Sequence, residues 1–478
     1  MSQHTLSSTD LAAEAPITST STTSQDGKPV KRVFIETYGC QMNVADSELM
    51  GGILKNEGFE TAQTMEEADV IVVNTCAVRE KAEERVFGRL SQLLQYKQTN
   101  PDVVLGVAGC MAEHLKGKIV ERAPYVDLVV GPDAYRRLPE LIGTQVVDPD
   151  EVSARKRSSS SDREAAIDVK LDKEETYEGL SPERQEGISG WITVQRGCDK
   201  FCTFCIVPFV RGRERGVPPR DILKQARELA QSGYKEITLL GQTVNSYRYE
   251  ESDFADLLEA LVQIEGIERI RFTSPYPIDF TPKLIATMAR HEKICKYLHL
   301  PVQSGSEPVL KRMRRGYTRV EFEQLVRDIR AAMPDVAIST DIIVGFPGES
   351  EEDFELTMNL MRETRFDFSF LFKYSERSGT YAARKLEDDI PEDVKRRRLK
   401  EIIDLQESIS AEIFESRVGK TYKVMAQGPS KKTDADWCGR TDDFKMTIFP
   451  YREGLQEGDI VEVKITRCTS HTLIGELV

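Results

Sequence analysis

The chain has 478 residues, enough for about three domains of ordinary size, and its 40% hydrophobic and 30% charged residues are the balance of a soluble globular protein. A formal net charge of −14 argues against a protein that coats nucleic acid through bulk charge, but leaves room for local basic patches. No apolar run is long enough to cross a bilayer, no basic segment leads into an apolar one as in a secretion signal, and nine cysteines, an odd count, suggest metal or redox chemistry more than disulfides.

Residues 1–30 are rich in Ser and Thr and bury too little apolar surface to order themselves, so a disordered tail is expected. From Lys31 the pattern becomes strand–helix units. Strands are expected over 33–38, 70–73, 103–107 and 125–130, with helices over 47–56 and 78–96. The all-apolar run Val70-Ile71-Val72-Val73 suits a buried parallel strand. Cys40 follows the first strand, Cys76 the second and Cys110 the third. Open parallel sheets gather ligands at the carboxyl ends of their strands, so these three thiols can converge although more than thirty residues separate them. Three ordinary interior cysteines are the alternative. This domain is expected to span 31–147, followed by a polar linker over 148–186.

Residues 191–195 read as a strand that delivers the loop Arg196-Gly197-Cys198-Asp199-Lys200-Phe201-Cys202-Thr203-Phe204-Cys205. Its compact trio, Cys198, Cys202 and Cys205, can hold three corners of a four-iron cluster and leave one iron open to a small molecule. A zinc site would want a fourth ligand, and the loop offers no His. Phe201 and Phe204 would shield a cluster from water or fill a small apolar core. Strands then recur at 236–240, 269–272, 297–301, 338–344 and 366–372. Six strands fall short of a complete eight-stranded barrel, and the site should lie at their carboxyl ends. His299 reads best as a buried structural histidine, and Cys295, Cys438 and Cys468 as interior thiols. The basic runs 311–315 and 395–400 are either phosphate contacts or solvated helix faces. From about residue 417 to 478, short strands suggest a small antiparallel barrel related to OB-folds.

The spacing Cys-x3-Cys-x2-Cys resembles the signature of radical S-adenosylmethionine (radical SAM) enzymes. The stretches Tyr38-Gly39-Cys40-Gln41-Met42-Asn43, Asn74-Thr75-Cys76-Ala77-Val78-Arg79 and Ala108-Gly109-Cys110-Met111-Ala112 resemble the N-terminal domain of the methylthiotransferase family. The C-terminal segment resembles the TRAM domain of RNA-modifying enzymes, with Gly439-Arg440-Thr441-Asp442 as an exposed RNA-facing turn.

The resemblance implies an α/β chain with an open parallel N-terminal domain (31–147), a partial (β/α)6 radical SAM barrel (187–416) and a TRAM domain (417–478). It implies two [4Fe-4S] clusters, one on Cys198, Cys202 and Cys205 and one on Cys40, Cys76 and Cys110, which should face each other. S-adenosylmethionine would be bound by Gln242, Gln303, Ser304 and Asp341, with Gly345 and Gly348 along its adenine, although each of these residues could equally serve only the turns they sit in.

The implied reaction uses one SAM to methylate a sulfur on the second cluster. Another SAM yields a deoxyadenosyl radical that takes hydrogen from C2 of an adenine. Motif wording at residues 38–43, 74–80 and 439–442 is similar to the branch acting on N6-isopentenyladenosine at tRNA position 37. Other branches act on threonylcarbamoyladenosine or on an aspartate of a small-subunit ribosomal protein. A metal-stabilised RNA-binding scaffold is the non-enzymatic alternative. Expected partners are the tRNA anticodon stem-loop and an electron-donor protein, in a cytoplasmic monomer.

Overall fold

A computed structural model describes residues 30–77, 80–145, 164–184, 187–431 and 433–478. All of the expected tail except Val30 lies outside these residues, as do Val78, Arg79 and positions 146–163.

The N-terminal sheet comprises β1 (Arg32–Tyr38), β2 (Glu60–Thr61), β3 (Val70–Thr75), β4 (Val104–Gly109), β5 (Leu128–Val130) and β6 (Ala166–Asp168), all parallel in the order β2-β1-β3-β4-β5-β6. Alternation along β3 and β4 sends Ile71, Val73, Leu105 and Val107 to one face and Val70, Val72, Val104 and Ala108 to the other. Helix α1 (Gln41–Asn56) covers the second face; α2 (Glu80–Thr99), α3 (Cys110–Leu115) and α4 (Lys118–Arg122) cover the first, and α5 (Leu138–Gln145) returns to the second. Strand order reverses between β1 and β3, and in such sheets the crevice beyond the carboxyl ends at the reversal is where ligands bind.

Part of the stretch expected as linker belongs to this domain. Residues 166–168 pair with β5 as a sixth strand. Tyr177 is buried, its ring stacked 5.8 Å from that of Tyr135 and its hydroxyl donating to the Pro132 carbonyl at 2.7 Å. Main-chain pairing holds this edge, and it needs no apolar run of the kind that marks a strand in sequence.

The central domain begins with β7 (Ser189–Thr193). A short pair follows, β8 (Gln195–Arg196) with β9 (Arg215–Gly216), and then β10 (Glu236–Leu240). After the small hairpin β11 (Arg248–Tyr249) and β12 (Ser252–Asp253) come β13 (Arg269–Phe272), β14 (Tyr297–His299), β15 (Ala337–Val344) and β16 (Phe368–Lys373). Parallel arcs β7-β10-β13 and β14-β15-β16 meet where Ile270 bridges Ile294, giving the expected six-stranded open barrel. Ile237, Leu239, Ile270, Phe272, Leu298, Ile338 and Ile342 pack outward into the main core. Their strand neighbours Glu236, Arg269, Arg271, Tyr297, His299, Ser339, Asp341, Phe368 and Phe370 therefore face the lumen.

The last five strands, β17 (Thr421–Ser430), β18 (Thr433–Thr441), β19 (Met446–Pro450), β20 (Ile460–Cys468) and β21 (Leu473–Leu477), close a small barrel in the order β17-β18-β19-β21-β20. The turn 439–442, expected to face RNA, is instead its anchor. Arg269 donates to the carbonyls of Arg440 (2.7 Å) and Lys423 (3.1 Å), and Arg271 to those of Asp442 (2.9 Å) and Thr441 (3.0 Å). Phe444 stacks on Tyr297 with centroids 5.0 Å apart, under the Arg271 guanidinium. The C-terminal domain thus seals the amino end of the open barrel. Carbonyls are invisible as anchors in a sequence, which is why the turn read as free.

Arg271 also pairs with buried Glu236 at 2.7 Å. Arg271→Ala should leave that carboxylate without its cation and cost about 3 to 5 kcal/mol, read from the chemical denaturation midpoint.

Candidate metal centres and the barrel lumen

Two buried asparagines close the first cysteine trio. Asn43, in the first turn of α1, accepts from the Cys40 main-chain N–H at 3.3 Å and from its thiol at 3.4 Å. It donates to the Thr75 carbonyl at 3.2 Å, while Asn74 donates to the Asn43 carbonyl at 2.8 Å. Loops one and two are therefore tied together directly. The third comes close only because position 109 is glycine: at φ 93 a Cβ there would sit 2.4 Å from Asn74 Oδ1 and 2.5 Å from the Thr75 carbonyl. Cys110 then opens α3, buried. The Cys76 thiol hydrogen-bonded to Cys40 holds the latter down at about 6, with Arg211 assisting against burial.

The second trio rides the loop after β8. Gly197 lies at φ 79, where a Cβ would meet the Arg213 carbonyl at 1.9 Å, and its N–H donates to the Gln242 side chain. Cys198 N–H donates to the Gly212 carbonyl at 3.1 Å, and Cys205 N–H to that of Cys202 at 3.0 Å. Thr203 fixes the loop to the carbonyls of Met313 and Arg312, at 3.1 and 2.9 Å. Phe201 packs edge-on against Phe209, and Phe204 against Phe346. Burial pushes Cys198 up to about 11 and Cys205 up to about 12.

Each trio has one buried guanidinium aimed at a sulfur. Arg211 Nε donates to Cys110 Sγ at 3.0 Å, and Arg315 Nη1 to Cys202 Sγ at 3.2 Å. Arg315 is buried, and its other partners are the Tyr317 hydroxyl and the Pro301 carbonyl; among the described residues no carboxylate pairs with it. Of the terminal nitrogens of Arg211, Nη1 faces the Asp46 carboxylate at 2.7 Å, and Nη2 is buried with no hydrogen-bond partner among the described residues. Buried cations and unmatched donors beside thiols are what an anionic iron–sulfur group asks for. Among the described residues no three Cys, His, Asp or Glu side chains close around a single metal ion. The two trios are neighbours, since Ile206, next to Cys205, packs with Ala77, Cys110 and Val210.

A shared carboxylate joins them. Asp46, fully buried, lies 3.0 Å from Arg196 and 2.7 Å from Arg211, themselves 3% exposed. Asp46 and Arg211 carry no signal in the sequence; Arg196 shows there only as the start of the cysteine loop, and Arg315 only as the end of a basic run. Asn74 did carry a signal, as the polar residue near the end of an otherwise apolar strand.

The remaining candidates divide. Asp341 and His299 face the lumen, 3.4 Å apart, and His299 Nδ1 also meets Ser339 at 2.9 Å. Gln303 takes φ 78 and bridges Ile342 at the lumen wall. Ser304 is buried against Thr357 at 3.2 Å. The Gly345 N–H donates to Glu349, and the absence of a side chain there admits the Lys395 stem. The Gly348 N–H donates to Asp389 at 2.7 Å. The basic run 395–400 is largely engaged by acids, Lys395 with Asp388 at 2.5 Å and Arg398 with Glu349 at 2.8 Å.

Three family profiles match the chain: "Uncharacterized protein family UPF0004" over residues 32–131, the radical SAM superfamily over 192–361 and the TRAM domain over 415–478. The tRNA-2-methylthio-N(6)-dimethylallyladenosine synthase of Christiangramia forsetii is 46% identical over 469 residues, covering 94% of each chain. That of Amoebophilus asiaticus is 47% identical, covering 94% of this chain and 92% of its own. Among solved structures, the radical S-adenosylmethionine methyltransferase TsrM from Kitasatospora setae, with cobalamin and a [4Fe-4S] cluster bound, superposes with a TM-score of 0.55 at 14% identity, over 82% of this chain and 77% of that one. At that identity the likeness is one of fold.

In the cluster-free protein at pH 7, Cys40 lies above its ionisation point and is mostly thiolate, whereas Cys198 and Cys205 lie far below theirs. Iodoacetamide should therefore label Cys40 well before Cys198 or Cys205, and its labelling rate should fall as pH drops through about 6. Peptide mapping at several pH values checks this, and prior labelling of Cys198 or Cys205 contradicts it.

Proposed function

Because the chain belongs to the radical SAM tRNA methylthiotransferases, the family of the tRNA-2-methylthio-N6-dimethylallyladenosine synthases, we propose that it inserts a methylthio group at C2 of N6-isopentenyladenosine at position 37 of tRNA. The observation that carries this reading is the pair of adjacent cysteine trios, each with a buried arginine donating to one of its sulfurs. Cys198, Cys202 and Cys205 would hold the [4Fe-4S] cluster that takes SAM, and Cys40, Cys76 and Cys110 a second one. When bound, the two groups supply the reducing electron for SAM cleavage and the sulfur to be methylated. The target C–H bond has no acidic proton, so base catalysis offers no route to it.

This chain's own residues supply orientation and charge. Arg211 and Arg315 offset thiolate charge in places that water does not reach. Phe204 packs on buried Phe346 behind the second trio, which favours a dry side there, whereas Phe201 and its ring partner Phe209 are exposed. Gln242 acts through Gly197, fixing the loop. Asp341 and Gln303 are the candidates for holding SAM that lie along the lumen wall. Ser304, Gly345 and Gly348 would contribute through the turns that they shape. For RNA, Trp437 and exposed Tyr451, rings 5.3 Å apart at the end of β18–β19 away from the anchor, offer a stacking platform. An electron-donor protein and a cytoplasmic monomer complete the reading; among the described residues no helix is long and apolar enough to cross a membrane.

Mass analysis of tRNA nucleosides from cells with and without the protein tests the reaction. The methylthio group should vanish from isopentenylated adenosine alone; its persistence there would refute the assignment, and loss from threonylcarbamoyladenosine would favour that branch. Purified anaerobically, the protein should carry about eight irons, falling to about four when either trio is replaced by alanine. Zinc without sulfide would support the scaffold alternative.

A further inference from the structure

We propose that Phe368 and Phe370 on β16, with His299 beside them, form an apolar subsite that seats the branched aliphatic N6 substituent of the target adenine and turns away a charged one. This rests on the reading that the substrate is an N6-modified adenosine in tRNA.

Phenyl groups on a barrel's inner face normally bury themselves, yet Phe368 is 41% and Phe370 46% exposed. Two apart on one strand, they share a face, with centroids 4.9 Å apart in an edge-to-face pair. The His299 ring meets Phe370 edge-on at 5.6 Å. His299 is itself held by Ser339 and Asp341, so its ring is a fixed part of the wall. Below, Tyr297 stacked on Phe444 makes a floor of the same aromatic character. β16 ends its sheet, so the two phenyls stand beside the barrel's unpaired side.

Charge sharpens the argument. A threonylcarbamoyl substituent carries a carboxylate, as does an aspartate side chain, and either would need a cation here. Three guanidiniums lie at the amino end of the lumen and each is engaged: Arg269 by two carbonyls of the C-terminal domain, Arg271 by Glu236 and two further carbonyls, and Arg440 by the Phe444 ring at 4.3 Å and the Phe444 carbonyl at 3.3 Å. The ionisable group nearest Phe370's neighbour His299 is Asp341, of the wrong sign for a carboxylate. An uncharged aliphatic tail meets neither obstacle and gains from covering the phenyls.

The test compares three anticodon stem-loop RNAs, carrying isopentenyladenosine, unmodified adenosine or threonylcarbamoyladenosine at the target position. The enzymes are wild type, Phe370→Ala, Phe370→Leu and Phe368→Ala/Phe370→Ala. Wild type should prefer the isopentenylated RNA. The alanine variants should lose about tenfold in kcat/KM on that RNA, mostly through KM, and so lose preference over unmodified adenosine. Phe370→Leu should keep most of it. Iron content and SAM affinity should not change in any variant. Where the double variant fails to fold, the leucine and single alanine variants read the same preference ratio. Folded variants that keep the wild-type ratio overturn the subsite. A wild-type enzyme that ignores isopentenylated RNA altogether would overturn the function reading instead.

Discussion

One buried carboxylate holds the active half of this molecule together. Asp46 sits between Arg196 and Arg211, and all three are removed from water. Two cations and one anion leave an excess positive charge in a place where an unmatched charge is costly. The other partner that Arg211 reaches is Cys110. The network is electrically satisfied when that sulfur, or a group bound to it, is negative. The interface that joins α1 to the loop of the second trio therefore favours an anionic group at Cys110.

Arg315 repeats the arrangement with a different support. It lacks a carboxylate among the described residues and lies over the rings of Tyr276 and Tyr317, with Cys202 the anionic candidate in reach. Both arginines can hold their charge because guanidinium stays ionised when buried, where lysine would give up its proton. Hydrogen bonds to cluster sulfurs are also among the levers that set reduction potential. The same two side chains would thus link folding of the interface to the electronic character of a cluster held there.

What was legible in the sequence follows from chain proximity and period. Cys198, Cys202 and Cys205 share one loop, and Cys40, Cys76 and Cys110 each follow a strand of an open sheet, so their placement could be read. The recurrence of strand and helix likewise marked the six strands, and the radical SAM resemblance implied that they form a partial barrel. Partnerships formed across domains were not legible. Arg211 and Arg315 carry no mark that separates them from surface arginines, and the anchoring carbonyls of 439–442 have no side-chain signature. The basic run 311–315 read as a candidate phosphate patch, but its last member is buried against Cys202 and Arg312 donates to the Gly348 carbonyl. Strand β6 was missed because three residues among charges pair by backbone alone.

The route of the substrate follows from which sides of the barrel are closed. Below, Phe444 and the arginine–carbonyl bonds seal the amino ends of the strands. Above, the N-terminal domain arches across the carboxyl ends, joined to the β8 side through Asp46–Arg196 and to the loop after β16 through Glu83–Arg377. A sheet of six strands does not close on itself; α1 packs on its β7 side through Met42 and Ala45 against Trp191, and the β16 flank carries the exposed phenyls. A base splayed from an RNA loop can enter by that flank, edge first, passing the phenyls of β16 before reaching the sulfurs. Recognition of the N6 substituent would then come before the chemistry and in the same movement.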